Sequence, residues 1–202
     1  FYDITVFGDW VGLIWNDHAN VALYQPATGK RIDGYMLDGI DEKNGVAWAW
    51  AYDGEDALVV YADGTTGKTF TPKTMWSEGR AIVWLNTNTL AAIDKNGNTL
   101  WQYKTSANSD TLIYGLGDRA VIEQDNTYAL LANGKLGAAQ IYSITPNKWG
   151  TNYIGGNNGY YTLYNQNGKA LTDRYANALC EVGQDIYCGW VADKKYEYFH
   201  CA

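Results

Sequence analysis

The sequence predicts an all-β fold built from one repeated hairpin unit, and three observations carry that expectation. Gly is abundant at 22 residues and Pro scarce at 3, while 9 Trp and 17 Tyr favour strands over helices. A turn glycine followed by Lys or Asn recurs at Gly29-Lys30, Gly67-Lys68, Gly97-Asn98, Gly134-Lys135 and Gly168-Lys169, at spacings of 38, 30, 37 and 34 residues. Self-similarity at about 35 residues marks a repeat architecture. Ahead of most of these glycines lie two short apolar runs bounded by Gly, Asn and Asp, which read as strands joined by hairpins.

The elements follow in order. The chain opens on an isolated strand, Tyr2-Asp3-Ile4-Thr5-Val6-Phe7. Strand pairs then fall over 9–25, 45–63, 80–94, 119–132, 152–165 and 185–201. A further strand follows some of the glycines, at Lys68-Thr69-Phe70-Thr71, at 99–103 and at 138–142, with 111–114 as an extra strand of its repeat. The turns Asp94-Lys95-Asn96-Gly97 and Asn165-Gln166-Asn167-Gly168 put Gly where a positive φ is wanted. Runs such as Gly45-Val46-Ala47-Trp48 and Ala57-Leu58-Val59-Val60-Tyr61 are apolar at consecutive positions, as strands covered on both faces are.

The sixth pair has no following strand, and the opening strand has no partner. Joining the two predicts a single domain over 1–202: a closed β-propeller of six small blades, with the N-terminal strand completing the last blade. Closure of this kind leaves no long sheet edge exposed. The alternative is an open stack of β-hairpin repeats, which would need polar caps at its ends.

The stretch Trp76-Ser77-Glu78-Gly79-Arg80-Ala81 through Ile93-Asp94-Lys95-Asn96-Gly97 resembles a WG-type repeat, with its aromatic, Ser/Glu-Gly, Ala, Ile-Asp and turn glycine. The continuation Asn98-Thr99-Leu100-Trp101 also resembles the repeat of quinoprotein-type propellers. Val21 to Arg31 matches in part, with Tyr24-Gln25 where Ile-Asp stands in the family. The resemblance implies propeller blades. It implies no dehydrogenase, because no quinone-binding set maps onto these residues.

Charge and side-chain chemistry narrow the function. With 22 acidic and 15 basic residues the net charge is −7, and the basic residues are scattered, which argues against a nucleic-acid partner. No run approaches the ~18 apolar residues of a membrane-spanning helix. The chain begins at Phe1 without a charged leader, so it reads as a processed mature protein or an excised domain. His18 and His200 form no zinc spacing and no nucleophile–base pair, so no catalytic residue is assigned. Asp94-x-Asn96-x-Asn98 alternates oxygen ligands as calcium loops do, but Thr105 stands where the loop needs its closing acid. No metal and no cofactor is therefore expected. Asp9, Asp41, Glu78 and Asp118 recur near strand entries and read as turn formers, with a central carboxylate site as the enzymatic alternative.

Cys180, Cys188 and Cys201 all lie in the last 23 residues. A two-residue turn at Lys194-Lys195 would set Cys188 opposite Cys201 as a disulfide candidate; a turn centred on Gln184 would instead set Cys188 opposite Cys180. Either bridge suits an extracellular or cell-surface protein, and three free thiols would suit a reducing compartment. Trp15, Trp48 and Trp84 hold similar places and read as filling between sheets. Trp50, Trp149, Tyr160, Tyr161, Tyr196 and Tyr198 fall outside that pattern and are the candidate ligand-binding residues. The resulting expectation is a non-enzymatic binding module for a protein or cell-surface ligand. A glycan-binding lectin and a self-associating subunit of a surface assembly are the other readings.

Overall fold

The computed structural model describes residues 2–15, 20–105, 111–124, 127–137, 143–146, 152–157, 159–165, 169–173, 175–176, 178–191 and 195–201. It is all-β apart from a 3₁₀ turn at Glu42–Asn44. The first sheet holds β1 (Asp3–Phe7), β2 (Trp10–Ile14), β3 (Val21–Tyr24) and β4 (Arg31–Asp33) in sequence order. A seven-stranded sheet follows, from β5 (Tyr35–Asp41) through β6 (Val46–Ala51), β7 (Ala57–Tyr61), β8 (Thr66–Pro72), β9 (Arg80–Asn86) and β10 (Thr89–Asp94) to β11 (Thr99–Lys104). It is two meanders whose strands pair through Thr71↔Trp84 and Pro72↔Val83, with β5–β8 in one and β9–β11 in the other. Next come β12 (Thr111–Leu116), β13 (Arg119–Gln124), β14 (Thr127–Ala132) and β15 (Lys135–Leu136). The fifth meander is β16 (Ser143–Pro146), β17 (Tyr153–Asn157), β18 (Tyr160–Tyr164) and β19 (Tyr175–Ala176). The last is β20 (Leu179–Gly183), β21 (Ile186–Val191) and β22 (Lys195–His200).

The chain divides into two compact units. One comprises Phe1–Ala107 with Tyr114–Ala120, and the other Asn108–Ile113 with Val121–Ala202. In the first unit β6 shows why its sequence is apolar at successive positions. Ala47 and Ala49 pack with Phe7, Trp10 and Leu23 of the first sheet. Val46 and Trp48 turn the other way, onto Trp76, Ala81, Val83 and Ile93. A strand buried on both faces has no solvent side, so the two-residue alternation disappears. In the second unit Leu130 and Ala132 pack on Tyr153, while Ile154 and Leu163 pack on Leu179 and Tyr187.

Side-chain hydrogen bonds fasten the turns of one meander to the next. Gln25 Nε2 donates to the Gly64 carbonyl at 2.6 Å, and the Tyr61 hydroxyl donates to the Lys95 carbonyl at 2.7 Å. The Gly79 amide donates to Asp41 at 2.8 Å. Thr74 is buried and uses one hydroxyl twice: it accepts from the Ile82 amide at 2.7 Å and donates to the Gly117 carbonyl at 2.6 Å.

Three sequence expectations are corrected by the pairing. The N-terminal strand does not complete the last sheet. β1 pairs with β2 from Asp3↔Ile14 to Phe7↔Trp10 and is the edge of the first sheet. It has no orphan status because most meanders begin with a leading strand of their own, β5, β12, β16 and β20 among them. The 111–114 run heads its meander rather than ending the previous one. Gly67 lies inside β8, and the turn ahead of that strand sits at Gly64, whose φ is 81°. The expected strand at 138–142 and the turn glycine Gly168 lie outside the described residues.

Candidate binding face

The last meander has one buried face and one exposed face, and the register fixes which residues belong to each. Leu179, Tyr187 and Phe199 point inward, onto Ile154, Leu163 and Tyr175. The other face carries Cys180 opposite Cys188, Cys188 opposite Tyr198 and Trp190 opposite Tyr196. Directly opposed residues share a face, so these form two cross-strand rows. Tyr196 is 61% and Tyr198 69% exposed, and Val182 and Ile186 at the bulged end of β20–β21 are 49% and 43% exposed. The Trp190 and Tyr196 rings stack at 6.3 Å. Trp190 and the two valine and isoleucine neighbours were not among the residues singled out from sequence. Their signal was available: Ile186, Cys188 and Trp190 alternate with Tyr187 and Gly189 at the two-residue period of a strand.

The remaining candidates fall elsewhere. Trp50 is half-buried against the Val46, Trp48, Trp76 cluster and so fills space between meanders. Tyr161 is half-buried against Ile154 and Leu163, and its neighbour Tyr160 is exposed at the start of β18. Trp149 lies outside the described residues. Of the periodic tryptophans, Trp48 is fully buried and donates to the Thr74 carbonyl at 3.1 Å. Trp15 and Trp84 are half-buried beneath Arg31 and Lys73.

The Cys188–Cys201 bridge is not supported by the pairing. Val191 pairs with Lys195, which shifts the register by three residues from the expected one and sets Tyr198, not Cys201, opposite Cys188. All three cysteines are free, and Cys180 is the residue facing Cys188. Burial, then the neighbouring Cys188, pushes the Cys180 thiol up.

Asp41 and Asp94 are occupied by turn chemistry, and Asp118 by an ion pair. Asp41 caps Asn44 and accepts from Gly79. Asp118 pairs with Arg80 at 2.9 Å, and the Asp9 amide donates to the Ala62 carbonyl at 2.8 Å. Burial works to raise the Asp94 carboxyl, but hydrogen bonds from Asn98 and Asn96 outweigh it and hold the group below its ordinary value. Those bonds, at 2.8–3.0 Å, close the loop upon itself. A shallow cleft of about 590 Å³ lies beside Asn44, Tyr61 and Lys95. Its polar groups brace the turns, since Lys95 Nζ donates to the Asn44 carbonyl at 3.4 Å and Tyr61 to Lys95. Among the described residues no group of three or more His, Cys, Asp or Glu is placed to hold a metal, and no helix is long and apolar enough to cross a membrane.

Among solved structures, the chain is similar to BamB from Moraxella catarrhalis, at 16% identity and a TM-score of 0.47, covering 98% of this chain and 69% of that one. It is similar also to Kluyveromyces lactis Hsv2, at 8% identity and a TM-score of 0.46, covering 98% of this chain and 72% of that one. The computationally designed Ika4 protein matches at 15% identity and a TM-score of 0.36, over 63% of this chain and 88% of its own. No family model matches the chain, and no curated protein does. The likeness to WG-type and quinoprotein-type repeats therefore rests on residues 76–101, with the partial match over 21–31.

Proposed function

We propose that this chain is a non-enzymatic binding module, a propeller-type scaffold of six small blades that engages a protein partner through the exposed face of its last meander. The observation that carries the reading is the sheet face of β21 and β22 that bears Ile186, Trp190, Tyr196 and Tyr198. Four large side chains on one sheet face, three of them strongly exposed, cost solubility unless something covers them. Trp and Tyr bury much area while losing little side-chain freedom, which is why they dominate binding hot spots.

The test compares the intact chain with Tyr196→Ser/Tyr198→Ser in quantitative capture from the native extract. A protein held by the unmodified chain and lost at least about tenfold by the variant, both folding alike, supports the reading. Equal capture by both overturns it. The stacked Trp190–Tyr196 pair also suits a sugar ring, so glycan binding lost in the same variant would replace the protein partner with a carbohydrate.

A further inference from the structure

Two thiols and a phenol stand in one row across the last meander: Cys180 on β20, Cys188 on β21 and Tyr198 on β22. The register fixes how the two thiols meet. The Trp190 amide donates to the Ala178 carbonyl at 3.0 Å, and the pairing continues unshifted through Leu179↔Gly189 to Cys180↔Cys188. In an antiparallel pair, residues that exchange main-chain bonds alternate with residues that do not. Cys180 and Cys188 therefore form a bonded pair, with Cα atoms about 5.5 Å apart. Directly opposed residues point to the same side of the sheet, so both thiols rise from one face.

The Cys180 thiol leans across the ladder, its Sγ donating to the Cys188 carbonyl at 3.8 Å. Cys180 is open to solvent, while Cys188 is only 8% exposed. On its far side Cys188 is hydrogen-bonded by the Tyr198 side chain, whose hydroxyl is a donor for the sulfur once the thiol proton has gone. Cys201 takes no part. It packs from the other face, against the buried cluster of Ile154, Leu163, Leu179 and Tyr187.

We infer that Cys180 and Cys188 hold a soft, two-coordinate metal ion of the Cu(I) class between their sulfurs. The site stands apart from partner binding and does not depend on it. Strand side chains stand nearly perpendicular to the sheet, so opposed thiols keep about the 4.5–5.5 Å spacing of their Cβ atoms. Two metal–thiolate bonds of about 2.3 Å laid end to end span about 4.6 Å, which matches that spacing. Thiolates select soft ions such as Cu(I), where carboxylates and carbonyls suit Mg, Ca or Mn. Among the described residues no third His, Cys, Asp or Glu joins the pair to make a larger metal-holding group. Zinc takes four ligands in a tetrahedron, so two thiolates hold it poorly. Uptake breaks two S–H bonds and makes two Cu–S bonds. Two protons pass to solvent and copper stays monovalent, so the step needs no oxidant or reductant.

The probe is Cu(I) itself, offered to the intact chain from a coloured chelator under argon, with ascorbate to keep the metal monovalent. One copper per chain should leave the chelator. Cys180→Ser and Cys188→Ser should each weaken uptake by about tenfold or more, since each removes one of two ligands, and Cys201→Ser should stay within about twofold of the native chain. Zn(II) offered at the same concentration should remain in solution. X-ray absorption at the copper edge should count two sulfur neighbours. Closing the pair as a disulfide in Cys201→Ser protein should abolish uptake, and reduction should restore it. Cys180 is exposed, so its serine variant keeps the fold; if Cys188→Ser does not fold, Cys180→Ser and the disulfide form decide. No uptake by the native chain, equal uptake by Cys180→Ser, or loss on Cys201→Ser overturns the inference. So does half a copper per chain with dimer formation, or a count of three or four sulfurs.

Discussion

Replacing Thr74 with Val tests whether the meanders are held by single buried polar groups. Val matches Thr in shape and exchanges the hydroxyl for a methyl. In the native chain that hydroxyl satisfies two buried groups of opposite polarity, the Ile82 amide and the Gly117 carbonyl. Gly117 is buried, so water does not replace the lost partner there. Leaving a buried polar group unpaired costs about 1–3 kcal/mol, so the pair sums to about 2–5 kcal/mol once the added methyl offsets a part. For a chain of this size each kcal/mol moves Tm by about 2–4 °C, which places the fall between about 4 and 20 °C. Thr74→Ser keeps the hydroxyl and loses one methyl, for about 1 kcal/mol. Thermal and urea unfolding followed by circular dichroism would measure both. A Thr74→Val chain within 0.5 kcal/mol of the native one, a threshold set by ordinary surface substitutions of about that size, would refute the reasoning.

Further outcomes follow from other sites. Gly8→Ala should destabilise the fold by about 2 kcal/mol or more, because φ is 54° and a Cβ would strike the Ala62 backbone; urea midpoints measure it. In Cys201→Ser protein, a small-molecule disulfide should take Cys180 and Cys188 to one protein disulfide, releasing two small thiols and removing both protein thiols from a thiol count. Cross-strand partners of this kind sit about 5.5 Å apart at Cα, within disulfide range, and retention of both thiols would count against the pairing. Burial, then Tyr164, pushes the Tyr153 phenol up to about 12. Its folded pKa exceeds its unfolded value of 10.0, so its contribution is complete below pH 10 and is lost as pH rises toward 12. Tyr153→Phe should flatten that alkaline loss of stability; an unchanged slope would exclude Tyr153 as its source.

Much of the architecture is legible in the sequence because it is written in local chemistry. The hairpins at Asp94–Gly97 and the both-sided burial of Val46–Trp48 follow from turn residues and from the missing alternation. The phase of the repeat is less legible. β5 contains Asp38, Gly39 and Asp41, which read as turn residues although they form a strand interrupted by a register shift. With the leading strands hidden in this way, β1 looked unpaired and a shared last blade became the natural inference. The binding face was half legible. Tyr196 and Tyr198 stand out as a period-two aromatic pair, but Trp50 and Tyr161 do not differ from them in sequence. Only packing across neighbouring meanders separates filling residues from exposed ones.

Four of the latches between meanders share a spacing close to the repeat. Gln25 reaches Gly64 over 39 residues, Tyr61 reaches Lys95 over 34, Gly79 reaches Asp41 over 38, and Arg80 reaches Asp118 over 38. Each bond therefore ties a unit to its immediate successor and to nothing farther along. Stability in such an array is a sum of nearest-neighbour couplings. A duplicated unit inserted between two others would find a donor on one side and an acceptor on the other already in place. The same bonds that hold the present chain together make its length a quantity that evolution can change one whole unit at a time.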